Sequence, residues 1–250
     1  MKLCAIVLLA AATHLTAAEL PKAETLLDHY VEVTGGRAAY EKRTTEYMSG
    51  SIELPASGVK GKVEMWGATP DSRVEMMDIE GVGRIETGTD GKIGWENSAI
   101  MGPRLQEGAE LRFHLRDATF NEPLHWREMY KKEETVGVEN VDGVPCYKVI
   151  MTPMEGKPET WYFDQKTDLV LKMLRTSVTS MGEVNGEYLM KDYKDSDGVL
   201  MPTMMIQKAA GQEIRVKFTT ITPNAKIPPD RFVPPAEVKQ LMTPAPKKGS

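Results

Sequence analysis

Short segments in which apolar and polar residues alternate make up most of the chain between residues 44 and 221. Segments 60–66 and 73–79 show the pattern clearly, since each carries valine and methionine on one face and charged residues on the other. A period of two with one polar face is typical of antiparallel strands that are covered on one side only. The same pattern predicts strands at 51–54, 82–87, 93–95, 133–141, 144–151, 160–163, 169–177, 183–193, 199–208 and 213–221.

Turn-forming residues separate these strands and join neighbours as hairpins. Asp142-Gly143, the polar run 164–168 and Asp197-Gly198 each follow one apolar segment and precede the next. Asp and Gly tolerate the positive φ of tight connections, and Pro202 cannot donate to a strand ladder. The turn signals recur about every 8–12 residues, which predicts a meander or barrel-like sheet.

Two regions have helical spacing instead. Apolar residues between Ala23 and Val31 predict an amphipathic helix over 22–34, which Gly35-Gly36 ends, and a shorter helix is expected over 37–43. Within 103–120, Leu111 and Leu115 belong to a narrow apolar stripe.

A second short helix is expected to begin near Pro123 and to run to Tyr130. The whole insertion, 103–130, interrupts the strands midway along the chain. It is therefore the candidate cover, or lid, of the sheet.

The first 18 residues have the pattern of a cleaved secretory signal. Lys2 precedes an apolar run over 3–12, and Thr16-Ala17-Ala18 supplies small residues before Glu19. The run is shorter than the roughly 20 residues that a membrane anchor needs. We therefore predict export, with cleavage after Ala18.

Charge and cysteine content restrict the class of the mature protein. Without residues 1–18 the chain has 30 basic and 36 acidic residues, which disfavours a nucleic-acid partner or a general affinity for anionic membranes. Cys146 is the only mature cysteine, so an intramolecular disulfide is impossible. We predict a single domain over 19–234, followed by a flexible Pro/Lys-rich tail over 235–250.

Candidate chemistry is sparse. His29, His114 and His125 lack the spacing of a metal site, and no nucleophile elbow surrounds a serine. The aspartates near 192–197 fit a turn better than a calcium loop. We predict no metal, no cofactor and no enzymatic activity. A polar cluster in a cleft, with shifted pKa values, would instead favour an enzyme such as a hydrolase.

The sixteen methionines suit a surface that adapts to apolar ligands, although they also suit ordinary core filling. If the helices leave a gap above the sheet, the inward-facing residues would bind acyl chains by burial of apolar surface. If the helices fill the gap, the same residues form a core. The predicted lining consists of Val63, Met65, Val74, Met76, Trp95, Leu111, Leu115, Tyr147, Val149, Met151, Leu171, Met173, Met190, Ile214, Val216 and Phe218.

The order of several motifs resembles the outer membrane lipoprotein-sorting protein family. These are Gly35-Gly36 after the first helix, the strand-turn-strand segment 163–172, the segment 192–202 and the closing Phe232-Val233-Pro234. The resemblance implies an α+β fold, mainly antiparallel, in which a strongly curved half-barrel sheet encloses a helical lid on its concave face. It also implies export to the periplasm.

Relatives of that family hold acyl chains in the concave cavity, bind regulatory membrane proteins as sensors, or bind lipids. The resemblance therefore implies a monomeric periplasmic carrier whose partners are lipid or lipoprotein acyl chains, with a membrane-protein partner as a further expectation. An envelope sensor that binds a partner protein is the alternative. No gating residue of the family can be matched to a position in this chain.

Overall fold

The computed structural model describes residues 19–228 and 230–243. The predicted export signal, 1–18, and the last part of the predicted tail, 244–250, lie outside the described residues, as does Pro229.

Strands dominate the described residues. The thirteen strands within 19–228 are β1 (Thr45–Leu54), β2 (Val59–Ala68), β3 (Ser72–Ile79), β4 (Gly83–Asp90), β5 (Gly94–Ser98), β6 (Gly102–Gln106), β7 (Tyr130–Val141), β8 (Val144–Pro153), β9 (Glu159–Asp164), β10 (Val170–Thr179), β11 (Gly182–Ser196), β12 (Val199–Ala209) and β13 (Gln212–Pro223). The helices are α1 (Ala23–Val33), α2 (Arg37–Glu41), α3 (Gly108–Asp117), α4 (Trp126–Met129) and α5 (Ala236–Met242), and a 3₁₀ turn covers Glu122–His125.

All of these strands belong to one antiparallel sheet, which is not closed. The strand order is β6-β5-β4-β3-β2-β1-β13-β12-β11-β10-β9-β8-β7, so β1 and β13 join two meanders at the centre. The outer edges are β6 and β7, which are consecutive in sequence. The chain between them must therefore cross from one edge of the sheet to the other, and it does so as α3, the 3₁₀ turn and α4. The predicted half-barrel α+β fold with a helical cover is confirmed.

Strand register defines the concave face, which is the face that carries these helices. Val63 pairs with Met77 of β3, and Arg73, four residues before Met77 on β3, donates a 3.0 Å hydrogen bond to the backbone oxygen of Asp117 at the end of α3. Side chains of the same parity along β2 and β3 therefore lie under the helix. Trp66 and its partner Val74 have the opposite parity and point to the convex face.

Two apolar cores fill parts of the concave face. The helix-covered core packs α1 and α4 on β8, β9 and β10. It contains edge-to-face ring contacts, such as that between Tyr130 and Trp161 at 5.8 Å. The sheet-only core consists of strand residues alone, with Ile52, Val63 and Val216 buried by the curvature of the sheet.

The convex face has a cover that the sequence analysis did not predict. Helix α5 packs on β5 and β6, and its Val238 is fully buried with Val74 and Trp95. Residues 236–242, which were predicted to begin a flexible tail, are therefore helical and packed. Proline content suggested disorder here, but the apolar convex patch that orders the segment exists only after the sheet has formed.

The insertion also begins later than predicted. Residues 102–106 form the edge strand β6, paired with β5, whereas the sequence analysis placed Pro103 in the helical insertion. The helix starts only at Gly108, which has a positive φ of 57°. A short edge strand carries too few alternating residues to be distinguished from a helix start.

Candidate ligand clefts and a buried ion-pair cluster

Helix α3 spans the concave side from β5 to β10 and leaves one cleft on each flank. The first cleft has a volume of about 430 Å³. It is lined by Ala109, Arg112, Phe113, Leu115, Arg116, Glu128, Met129, Met154, Glu155, Gly156, Lys157, Thr176, Val178 and Glu183.

The second cleft has a volume of about 400 Å³. Its lining comprises Ile85, Glu96, Ser98, Ile100, Met101, Arg104, Gln106, Glu110, Phe113, His114, Ser177, Val178, Thr179, Ser180 and Met181. Phe113 and Val178 line both clefts, so the two spaces adjoin at these side chains.

An ion-pair cluster anchors the end of α3 to the sheet. The Asp117 carboxylate accepts a hydrogen bond from Arg175 of β10, and Arg73 of β3 lies 3.3 Å from its other oxygen. Burial alone would raise the pKa of Asp117, but the charges of Arg175 and Arg73 outweigh burial and hold this pKa well below its usual range. Asp117 is therefore ionised at neutral pH.

Glu159 forms a second centre of the same cluster. Its carboxylate is 2% exposed and accepts hydrogen bonds from Arg116, from the Tyr130 hydroxyl at 3.2 Å and from the Trp161 indole nitrogen at 3.4 Å. A buried carboxylate is stable only when charge and hydrogen bonds compensate its lost hydration. Arg116 thus connects the lining of the first cleft to the helix-covered core.

Glu122 has an unusual proton affinity. It begins the 3₁₀ turn after Asn121, which has a left-handed backbone with a φ of 54°. Burial, together with the negative charges of Asp117 and Glu159, raises the pKa of Glu122 to about 7. The side chain lines a small pocket of about 200 Å³, which Tyr30 and Tyr40 also line.

Most of the predicted lining lies on the concave side, but only part of it reaches open space. Leu115 lines the first cleft and Met65 lines the small pocket. Leu111 packs over Gly94 of β5. The remaining concave residues belong to the two cores or neighbour them on the sheet: Val63, Tyr147, Val149, Met151, Met173, Met190, Ile214, Val216 and Phe218. The ligand-binding role of these residues stays a prediction.

Four residues of the predicted lining are on the opposite face, and their placement was wrong. Val74, Met76 and Trp95 point to the convex side, where the C-terminal segment covers Val74 and Trp95. Both faces of β3 carry apolar side chains, Val74 and Met76 on one and Met77 and Ile79 on the other, so alternation did not identify the concave face. Leu171 is also convex, since a register shift between Val170 and Lys172 reverses its direction.

The charged cluster was not predicted from the sequence. Arg73 belongs to the charged face of segment 73–79, and Arg116 lies outside the apolar stripe of the predicted helix. A signal was available in the strands, because Arg175 lies two residues after Met173 and Glu159 lies two residues before Trp161. Period-two alternation places these two charged residues on the same face as Met173 and Trp161. It cannot show that the charges on that face find partners of opposite sign.

Within residues 19–228 and 230–243, no group of three or more His, Cys, Asp and Glu side chains could hold a metal ion. Cys146 is buried on the convex face with Tyr162 and Leu189. Among the described helices, none is long and apolar enough to cross a membrane.

No protein-family model matches the chain, and no curated protein matches its sequence. Solved structures do match its fold. A DUF1329 family protein from Desulfovibrio piger superposes with a TM-score of 0.58 at 13% identity, covering 85% of this chain and 98% of its own. A LolA superfamily protein from Nitrosomonas europaea gives a TM-score of 0.57 at 12% identity, with 86% and 99% covered.

An outer membrane lipoprotein-sorting protein domain from Vibrio parahaemolyticus gives a TM-score of 0.54 at 12% identity, with 84% of this chain and 97% of that chain covered. The protein therefore has the half-barrel fold that these three structures share. At such low identity the likeness establishes the fold alone.

Proposed function

We propose that the protein is an exported, periplasmic binding protein that holds a long acyl chain in the two clefts beside α3. The observation that carries the proposal is that Phe113 and Val178 line both clefts, which flank α3. Each cleft falls within the range of roughly 300–1,000 Å³ that is usual for small-molecule sites.

The walls suit an apolar chain of variable shape. Ala109, Leu115, Met129 and Met154 contribute apolar surface to the first cleft, and four flexible or branched side chains do so in the second. The latter are Ile85, Ile100, Met101 and Met181. Each methylene that leaves water stabilises binding by about 0.8 kcal/mol, so a long chain needs few polar contacts. Methionine adapts to such ligands because its side chain is flexible and polarizable.

The proposal includes export, which the pattern of residues 1–18 supports. The similarity to the lipoprotein-sorting domain from Vibrio parahaemolyticus supports acyl chains of lipids or lipoproteins as the ligand class.

We propose binding in preference to catalysis, although a polar cluster with shifted pKa values lines the small pocket and adjoins the first cleft. Arg73 and Arg175 neutralise Asp117, and Glu159 is buried beneath its three donors. Glu159 is therefore not available to a substrate, and both carboxylate oxygens of Asp117 are paired with arginines. The cluster is therefore better suited to fixing α3 on the sheet.

Ligand uptake by the mature protein tests this function. We expect displacement of a fluorescent fatty acid by unlabelled acyl lipids, and native mass spectrometry should detect copurified lipid. Ala109→Trp places a bulky ring in the first cleft and should weaken binding at least tenfold. Val138→Trp is the matched control, because Val138 is exposed on edge strand β7. If neither the wild type nor the control takes up the fluorescent fatty acid, the proposal is refuted.

A second candidate function is binding of a partner protein at the mouth of the second cleft. Two hairpin tips there expose Ile100 by 67%, Met101 by 51% and Met181 by 86%. Exposed apolar clusters of this kind mark interaction sites. This candidate predicts a complex that persists after delipidation and that is lost in the double variant Ile100→Glu, Met181→Glu. Loss of fatty-acid uptake in the same variant would favour the first candidate.

A further inference from the structure

We propose that the first cleft selects an acyl ligand with a free carboxylate, such as a long-chain fatty acid, whose anionic end binds Arg116 while its chain lies along Phe113. This inference rests on the proposed function and specifies its ligand class.

Buried nitrogen atoms around α3 find no acceptor among the described residues. They are Nη1 of Arg116 and Nε of Arg175. A guanidinium has five N–H donors, and a buried donor that stays unpaired destabilises the folded protein. The arrangement is therefore suited to an added acceptor next to the cleft.

Positive charge is concentrated at the end of the cluster that adjoins the cleft. Arg73, Arg116 and Arg175 contribute three positive charges, Asp117 and Glu159 contribute two negative ones, and Glu122, whose pKa is about 7, is partly ionised at neutral pH. Glu75 is a further partner of Arg73, at 3.5 Å on its more exposed side. The Arg116 and Arg175 end of the cluster, which adjoins the cleft, thus has two guanidiniums that share the carboxylates deeper inside.

The position of Phe113 links this end to an apolar chain. The guanidinium carbon of Arg175 lies 4.9 Å from the centre of the Phe113 ring, and that of Arg116 lies 5.6 Å from it. A chain packed along Phe113 would therefore bring its terminal group within reach of Arg116. Guanidinium–carboxylate hydrogen bonds are charge-assisted and about twice as strong as neutral ones.

The rim of the cleft favours a carboxylate over a phosphate. Glu128, Glu155 and Glu183 face Arg112 and Lys157 around the same cleft, and the excess of one negative charge at this rim would repel a dianion more strongly than a monoanion. Arg112, one turn before Arg116 on α3, is 56% exposed and pairs with Glu155, so it belongs to the rim. Arg112 therefore provides a matched control for Arg116.

The experiment measures displacement of a fluorescent fatty acid from the delipidated mature protein by palmitic acid, 1-hexadecanol and hexadecyl phosphate. The wild type should bind palmitic acid at least tenfold more tightly than the alcohol, and more tightly than the phosphate. Arg116→Gln should abolish this preference but retain binding of the alcohol, whereas Arg112→Gln should keep the preference. Arg116→Lys, which preserves the charge, should recover part of it.

The outcomes separate the two proposals. If the wild type binds acid and alcohol equally, or binds the phosphate best, the carboxylate inference is wrong and the acyl-binding function stands. If none of the three compounds binds, the proposed function itself fails. Thermal melts establish whether each variant is folded. If Arg116→Gln does not fold, the wild-type preference and the Arg116→Lys variant decide the question.

Discussion

Asp117, the last residue of α3, accepts a hydrogen bond from Arg175 of β10, and this contact ties the helix to the sheet across the concave face. Arg73 approaches the same carboxylate from β3 on the other half of the sheet. One side chain thus connects the two meanders through the helix that lies between them.

Removal of this connection should destabilise the protein. We expect Asp117→Asn to lower the free energy of unfolding by about 2–4 kcal/mol, since it leaves two arginines without their main partner in a partly buried site. Urea unfolding followed by circular dichroism measures the change. Asp28→Asn is the control, because its pair with Arg127 is exposed and such pairs contribute about 0–1 kcal/mol. Equal effects of the two variants would contradict this role of Asp117.

Glu122 should make stability depend on pH near neutrality. Its folded-state pKa of about 7 exceeds the ordinary value of 4.5, so the folded protein holds this proton more tightly than the unfolded chain. The resulting stabilisation is fully present at pH values below the ordinary pKa of 4.5, and it is lost as the pH rises through about 7.

Glu122→Gln should therefore remove this pH dependence. The variant should match the wild type near pH 4 and exceed its stability at pH 8 by roughly 1–2 kcal/mol. Denaturation across this pH range measures the difference, with the exposed Glu128→Gln as the control. A constant difference between the variant and the wild type at all pH values would exclude titration of Glu122 as the cause.

Helix α5 should contribute to stability although it lies near the end of the described chain. Val238 is fully buried against the convex face, so Val238→Ala should lower the free energy of unfolding by roughly 1–3 kcal/mol. Leu241 is exposed on the same helix, so Leu241→Ala should have little effect on the free energy of unfolding. Tryptophan fluorescence reports the local change, since Trp95 belongs to this cluster. If the two substitutions have equal effects, α5 is not anchored by Val238.

The turn between α1 and α2 depends on the close approach of two glycine backbones. Gly35 has a φ of 131°, and a Cβ atom there would lie 2.2 Å from the backbone oxygen of Gly198 in the β11–β12 turn. Gly35→Ala should therefore cost more than 2 kcal/mol, because strain and overlap act together. Gly58→Ala is the control, since its φ is also positive but no atom lies within 4 Å of the added Cβ. Similar thermal melts for both variants would refute the contact.

The sequence predicted the strand succession, the first helices and the position of the insertion, because these depend on local periodicity and turn chemistry. It located Gly35 at the end of α1 for the same reason, but it could not show that Gly198 lies against it. Strand β6 was missed because Leu105 is its only large apolar residue after Gly102 and Pro103, so no alternation marks it.

The sequence by itself determined that apolar residues alternate along many strands and that a helical segment interrupts them. Only the tertiary structure decided which of the two faces of each strand is concave, since register and bulges set that direction, as at Leu171. It also decided that Arg73, Asp117 and Arg175 meet, because they come from β3, α3 and β10. Charged residues that look solvent-exposed in sequence become an internal cluster when the fold supplies partners of opposite charge.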